Sequence, residues 1–431
     1  MKKLCTIQNA CMRLTLGARR TSPISSLEAE SNVPPLDMYM EYLSARSYVK
    51  VNFGPTDDVI SHALLTKDSN YSAHNKSILT KYSADDVKRQ PGPVCSVVLP
   101  WMRLVDRVVV SFPFEGITME KFVAYTRKEF PNYYLLFTDG SKTSTNETSV
   151  AAGLYDPVRM HIESWKLHPG HTVVSAELYA IWRSLLYASM HTTGNCIIFS
   201  DSQTSLQMIV GKTKTYLSTV DKIRDLLYSL NKNRVLLLHW VKAHAGIEGN
   251  EKADEAANWG HACDSSVLFG LHREEHLCML YVGFTSYWHE SWKESCRVGG
   301  KGRFLRELKD QIQTESPVDT GDRKMDTVIF RLRVGHVGLN KHLYRINKSD
   351  TDQCPHCGDV ETIKHFLLEC DHYYDQREKL FVDIATIIRR PLINLTLKLV
   401  LGGDLFPLSV NRRIVEALSV YLRNTDRYEV M

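Results

Sequence analysis

No apolar run in the 431 residues is long enough to cross a membrane as a helix, which excludes a helical integral membrane protein. Met1-Lys2-Lys3-Leu4 hints at a secretory leader, but Gln8, Asn9 and Arg13 interrupt any apolar core behind it. Cysteine is scarce and scattered: of ten, only Cys354, Cys357 and Cys370 lie close together, so a secreted disulfide framework is not expected. A reducing intracellular compartment, cytoplasm or nucleus, is the expectation. Excess charge is small as well. The formal +4 from 53 Lys and Arg against 49 Asp and Glu does not by itself call for a nucleic-acid partner, although it allows local basic faces. What is present, 43% apolar and 24% charged residues, suits two or three ordinary folded domains.

The densest pattern runs from Asp139 to Asp254. Tyr133 to Thr138 is a short aromatic-rich strand that delivers Asp139-Gly140-Ser141 into a glycine turn. Ser149 to Tyr155 and His161 to Leu167 read as two more strands, joined at Asp156-Pro157 and closed by Pro169-Gly170, which makes a meander. Ser175 is the expected N-cap of a helix beginning at Ala176, with Leu178, Ile181, Leu185 and Leu186 at helical spacing and Glu177 in its first turn. Asn195 to Ser200 holds Cys196-Ile197-Ile198-Phe199, the continuous apolar run of a strand buried on both faces, and Asp201 follows it. Leu217 to Leu230 is helical, Arg234 to Val241 a strand, and Lys242 to Gly249 a loop carrying His244. An alanine-rich helix, Ala253 to Ala257, then carries Asp254 on its first turns. This order predicts a mixed sheet covered by helices.

Carboxylates brought together raise one another's pKa, so a cluster of four is tolerable chiefly around a divalent cation. With oxygen donors and no cysteine nearby, magnesium or manganese is the expected ion. Thr138-Asp139-Gly140-Ser141, Ser175-Ala176-Glu177-Leu178, Ser200-Asp201-Ser202, Lys242-Ala243-His244 and Gly249-Asn250-Glu251-Lys252-Ala253-Asp254 together resemble the motifs of type 1 ribonuclease H. The resemblance is closest to the version in non-LTR retrotransposon polyproteins. It implies an α/β, ribonuclease H-like mixed five-stranded sheet, and Asp139, Glu177, Asp201 and Asp254 as ligands of two Mg2+ or Mn2+ ions. It also implies His244 as a mobile catalytic histidine and an RNA/DNA hybrid as substrate, cleaved in its RNA strand without sequence preference. Val173 and Val174 depart from bacterial relatives, which carry hydrogen-bonding asparagines there. The stretch from Asp201 to His244 is short for a basic protrusion, leaving Lys212 and Lys214 as its candidates.

Upstream, Ile7, Cys11, Met12, Leu14 and Leu16 predict an amphipathic helix that stops at Gly17. Ala18 to Ile24, Leu27 to Glu30 and Pro34-Pro35-Leu36 resemble the stretch after the polymerase core in the same polyproteins. Tyr82-Ser83-Ala84-Asp85-Asp86 imitates a polymerase turn, but it has one residue too many and its flanks, Lys81 and Lys88-Arg89-Gln90, are not apolar strands. Asp57-Asp58 is weaker still, so no polymerase activity is expected. Residues 50 to 95 read as a loose linker.

Downstream, Trp288 and Trp292 stand four apart on one helical face, as a buried packing pair would. Between Lys301 and Lys348, eleven Lys and Arg face six Asp and Glu. Arg331, Arg333, Lys341, Arg345 and Lys348 interleave there with Phe330 and Tyr344, which suits either single-stranded nucleic acid or a solvated helix face. Cys354, Cys357, His365 and Cys370 form C-x2-C-x7-H-x4-C, a spacing for structural tetrahedral zinc, with His356 and His372 as competing ligands. With the preface Arg331 to His336, this stretch resembles the zinc-knuckle tail of those polyproteins. The layout expected is a helical remnant and linker over 1–130, a ribonuclease H domain over 131–262, and a helical zinc-binding C-terminal region over 263–431 with the knuckle at 354–370. A second reading keeps the fold and the nucleic-acid binding without the cutting: a catalytically silent retroelement remnant.

Overall fold

A computed structural model describes residues 1–53, 70–84, 106–112, 116, 118–144, 147–211, 218–231, 234–298, 300–312 and 314–431. Asp57, Asp58, Asp85, Asp86, Lys88, Arg89, Gln90, Lys212 and Lys214 lie outside the described residues. The chain divides into two compact units, one of residues 44–283 and one that combines 1–43 with 284–431. Helix α1 (Lys2–Leu16) ends where expected: Gly17 adopts φ 62°, and Ala18 N–H donates back to the Arg13 carbonyl at 2.9 Å. Helices α2 (Ile24–Ser31) and α3 (Leu36–Asn52) follow. Helix α4 (Asn70–Lys81) corrects the reading of 50–95 as wholly loose: its burial rests on Ser72, Asn75, Ile78 and Leu79, a face too polar for the apolar period to show.

The sheet has six strands in the order β1-β6-β5-β2-β3-β4. Strand β1 (Val108–Val109) is a two-residue edge strand parallel to β6, and helix α5 (Met119–Glu129), N-capped by Thr118, follows it. Strands β2 (Tyr134–Thr143), β3 (Ser149–Asp156) and β4 (His161–Leu167) form the antiparallel meander. Helix α6 (Val173–His191) crosses over to β5 (Cys196–Ser200), parallel to β2. Helices α7 (Gln203–Val210) and α8 (Ser218–Leu230) lead to β6 (Leu236–Trp240), parallel to β5, and α9 (Glu248–Gly260) comes last. The expected five strands are therefore six. The addition, β1, is too short to carry a period, and it pairs with the β6 edge that would otherwise present open backbone groups.

Alternation along these strands explains why they read as continuous apolar runs. Leu136, Cys196, Ile198, Leu236 and Leu238 face a core shared with Leu178, Ile181 and Leu185 of α6 and Val220, Ile223 and Leu227 of α8. Phe137, Ile197, Phe199 and Leu237 face the opposite core with Phe122 of α5 and Ala253 of α9. Helix α9 lies close on β3 because position 153 is glycine: a Cβ there would stand 2.3 Å from the Ala257 backbone nitrogen.

The other unit is helical, as expected. Its members include the part of α10 (Arg273–Val298) from Phe284 onward, α11 (Arg303–Leu308), α12 (Arg323–Arg333), α13 (Asn340–Arg345), α14 (Tyr374–Ile388), α15 (Leu397–Val400) and α16 (Leu408–Arg423). Trp288 and Trp292 are buried with Met12, Leu27 and Phe330. Arg333 is buried against Glu30, with Nε to Oε1 at 2.5 Å and Nη2 to Oε2 at 3.2 Å, and it donates further to the Leu401 carbonyl. No helix among the described residues is long and apolar enough to cross a membrane.

Because both atoms nearest a Gly153 side chain belong to backbone, G153A should lower stability by about 1–3 kcal/mol, read as a shifted urea midpoint at constant slope. An unshifted midpoint would mean that α9 can retreat at no cost.

Candidate active site

Strands β2 and β5 run parallel in the register Thr138 with Ser200, so the next residue on each is an aspartate. Asp139 and Asp201 thus stand side by side at one end of the sheet, the place where a parallel arrangement opens a crevice. Asp139 shares the parity of Phe137 and points to the α9 face. Gly140 has the opposite parity, and a Cβ on it would lie 2.5 Å from the Glu177 nitrogen. That absence of side chain brings α6 close enough for Glu177 to join Asp139 from the other side.

One ligand atom each of Asp139, Glu177 and Asp201 lies within 4.8 Å of the others. Asp139 and Glu177 are only 6% and 5% exposed, so water cannot dilute their repulsion. Burial, then the charges of Asp201 and Asp254, push Asp139 up to about 8. Burial, then Asp139 and Asp201, hold Glu177 well above the usual carboxylate range. Burial raises Asp201 too, opposed by a hydrogen bond from Asn250 Nδ2 at 3.3 Å and by the nearby His244. The buried Glu177 Oε2 has no hydrogen-bond partner among the described residues. An orphaned carboxylate oxygen among crowded acids fits a divalent cation well. Asp254 stands outside the set of three, interacts with Asp139, and accepts from Asn258 Nδ2 at 3.2 Å. His244 is exposed on the loop before α9 with φ 50°, next to Gly246 at φ 70°.

The helix carrying Glu177 begins earlier than expected. Thr172, not Ser175, is the N-cap: its hydroxyl accepts from Ser175 N–H at 3.2 Å, and the helix starts at Val173. Glu177 therefore lies in the second turn, where the helix dipole gives less support. Two β-branched valines in the first turn conceal this start in the sequence. Its anchor is remote. Glu275 of α10 accepts from Thr172 N–H at 2.7 Å, from His272 N–H at 2.9 Å and lies 2.9 Å from His171 Nδ1. Burial alone would raise the Glu275 carboxyl, but these donors, His171 foremost, hold it at about 2. The other His171 nitrogen, Nε2, faces the Phe269 carbonyl at 3.1 Å, so both ring nitrogens meet acceptors. Helix α9 also begins early, at Glu248, inside the expected loop. Asn250 has no role of its own in the motif as read from the sequence; the signal for one is its place four residues before Asp254, on the same helical face.

In the C-terminal unit, ligand atoms of Cys354, Cys357, His365 and Cys370 lie within 4.8 Å of one another. The Cys354 and Cys370 sulfurs are 3.9 Å apart, and Cys357 Sγ is 3.2 Å from His365 Nε2. A disulfide needs about 2.05 Å, whereas zinc–thiolate bonds of about 2.3 Å place tetrahedral sulfurs roughly 3.8 Å apart. Burial, then the neighbouring Cys354, push the Cys370 thiol up to about 12, so a cation suits this donor set. His365 opens a single π-helical turn, His365–Glu369, rather than an ordinary helix.

The mixture of cations and aromatics at 330–348 is only partly on the surface. Phe330 and Arg333 are buried, and Arg331 donates to the carbonyls of Gly17 and Met431, so these three do not serve as a binding face. Composition alone cannot distinguish a buried, paired arginine from an exposed one. Lys341, Tyr344, Arg345 and Lys348 are exposed. Lys341, Tyr344 and Arg345 line a cavity of about 710 Å³ with His336, His342 and Lys364. Burial and then nearby positive groups, Arg345 and Arg19 among them, depress His336 and His342 to about 4.

A six-stranded mixed sheet with helices on both faces and acids at adjacent strand ends defines a ribonuclease H-like α/β fold. Residues 131–262 match the family described as RNase H, and this segment is an RNase H domain. Among solved structures, a foamy viral protease-reverse transcriptase in complex with an RNA/DNA hybrid is 19% identical at a TM-score of 0.24. The match covers 30% of this chain and 20% of that one, so the present chain spans a fifth of its length. No curated protein matches.

Above the range where an unfolded aspartate ionises, about pH 4, the folded metal-free protein must either keep its protons or bear the repulsion. Its stability therefore falls as pH rises towards 8, the folded-state pKa of Asp139. In EDTA, D139N should melt higher than wild type by a few °C at pH 8 and by less at pH 5. Equal melting temperatures at both pH values would show that the acids do not strain the site.

Proposed function

We propose that the protein is an endonuclease that hydrolyses the RNA strand of RNA/DNA hybrids, with Asp139, Glu177, Asp201 and Asp254 holding two Mg2+ or Mn2+ ions. The observation that supports it most is the trio of crowded, buried carboxylates with one unpartnered oxygen, inside a segment that matches the RNase H family. When bound, such ions supply a water of lowered pKa and neutralise charge at the departing 3′ oxygen. The chain's own residues do the rest. Asn250 orients Asp201, and Gly140 admits Glu177 to the site. His244, on an exposed loop near Asp201, relays a proton or helps the products leave. Hybrid selectivity comes from 2′-hydroxyls presented in a wide minor groove, which favours cleavage without sequence preference.

The motif resemblances at 18–36 and 331–370 support a retrotransposon origin, downstream of a reverse transcriptase core, and a structural zinc held by Cys354, Cys357, His365 and Cys370. Lys341, Tyr344 and Arg345, beside two histidines whose pKa is depressed by burial and then by nearby positive groups, support a single-stranded nucleic-acid contact in this tail.

Wild type should cleave a labelled hybrid only with a divalent metal, and D201N should be slower by at least about 10²-fold, the scale of losing one electrostatic contact to the transition state. Equal products from both, or none from either, would remove the enzyme and leave the silent nucleic-acid-binding remnant. For the tail, C357S should lose about one equivalent of zinc on metal analysis; zinc-free wild-type protein would refute that assignment.

A further inference from the structure

The cavity of about 710 Å³ lies within the unit of residues 1–43 and 284–431, and its wall changes character with depth. Arg303, Lys341, Tyr344 and Arg345 are exposed and stand at its mouth. Further in, Phe304, Val337, Leu339 and Leu397 present the edge of the hydrophobic core. Lys364 pairs with Glu369, whereas Arg303, Lys341 and Arg345 have no carboxylate partner among the described residues. Of the lining acids, Glu361 is taken up by Arg427 Nη2 and the Asn340 amide, each at 2.6 Å. That leaves Glu307 and Asp352 against the three cations.

Two imidazoles border the same space. Arg345 Nη2 donates to His342 Nδ1 at 2.9 Å, so this ring, neutral at physiological pH, carries its proton on Nε2, which faces Thr21 Oγ1 at 3.5 Å. The Thr21 hydroxyl, 2.9 Å from His336 Nδ1, then donates to it. In this arrangement every proton has one acceptor. His336 keeps its own proton on Nε2, the ring nitrogen with no partner among the described residues. Arg345 and Arg19 act on both rings, so this corner of the cavity carries a positive field.

We propose that the cavity takes one unstacked nucleotide of a single strand, its phosphate at the mouth on Lys341 and Arg345, its base inside against Phe304 and Leu397, and His336 Nε2 donating to a base acceptor. This rests on the reading of the tail as a single-stranded nucleic-acid contact and adds how the strand is held. Lys341 and Arg345 are four apart on α13, on one helical face, where a single phosphate can meet both. A bare phosphate would gain nothing from the apolar inner wall, and an apolar ligand nothing from the cations; a nucleotide matches both. The volume falls within the roughly 300–1,000 Å³ of small-molecule pockets. Tyr344 remains at the mouth to stack the neighbouring base. A duplex keeps its bases paired and stacked, so a single strand enters at lower cost.

The test uses the full chain and two end-labelled DNA octamers, one of mixed sequence and one with the same phosphates but no bases. Fluorescence anisotropy should show wild type binding the mixed octamer at least about tenfold tighter, the scale of one stacked base. H336L should remove about that factor from the mixed octamer and leave the base-free one unchanged, which also shows that the variant is folded. H336Q, which keeps a side-chain N–H, should restore most of the loss. K341A and R345A should weaken both octamers alike and reduce the salt slope by about one each. Equal affinity of wild type for the two octamers overturns the proposal and leaves a phosphate contact only. An H336L variant that weakens both octamers overturns it too, since the histidine would then serve the fold, and so does one that binds the mixed octamer as wild type does. Failure of the underlying reading looks different: wild type binds neither octamer, and the contact and the nucleotide site fall together.

Discussion

Negative charge without a counter-charge is the constraint at the centre of the RNase H domain. Asp139 and Glu177 are taken out of water and set against Asp201, and among the described residues no Lys or Arg hydrogen-bonds to them there. Folding alone does not favour this arrangement: left empty, it drives protons onto the acids. The surrounding structure has to impose it, through parallel register on two aspartates, a missing side chain at Gly140, and a helix start fastened by Glu275. Function and local instability are thus two aspects of one feature.

Much of this was legible because the sheet is buried on both faces. Cys196-Ile197-Ile198-Phe199 admits few readings other than a central strand, and the aspartate at its end follows. The meander was legible from its turns, and Asp254 from the alanine-rich helix that carries it. Illegible features depended on partners distant in sequence. Val173 and Val174 do not announce a helix start, because Thr172 and a carboxylate about a hundred residues later supply the capping. The edge strand at Val108 exists through its pairing with β6, and no local period announces two residues.

The C-terminal unit shows the same division between what neighbours in sequence encode and what folding decides. Cysteine and histidine spacing announced a cluster, since metal donors must be close in a small loop. Arginine, by contrast, gives no such signal: Arg333 sits in the core opposite Glu30, three hundred residues upstream, while Arg345 faces solvent. A basic stretch in a sequence is therefore a mixture of structural and available cations until the acidic partners are located.

The clasp at Glu275 has a consequence for where the RNase H domain can be cut free. The family match ends at residue 262, yet Val267 donates to the Lys166 carbonyl at 2.8 Å, Phe269 packs on Tyr179, and Glu275 secures the start of the helix that bears Glu177. A fragment trimmed to the family boundary would keep its four acids while leaving His171 and the Thr172 amide without their carboxylate. The shortest self-sufficient form of this domain therefore extends through the opening turns of α10.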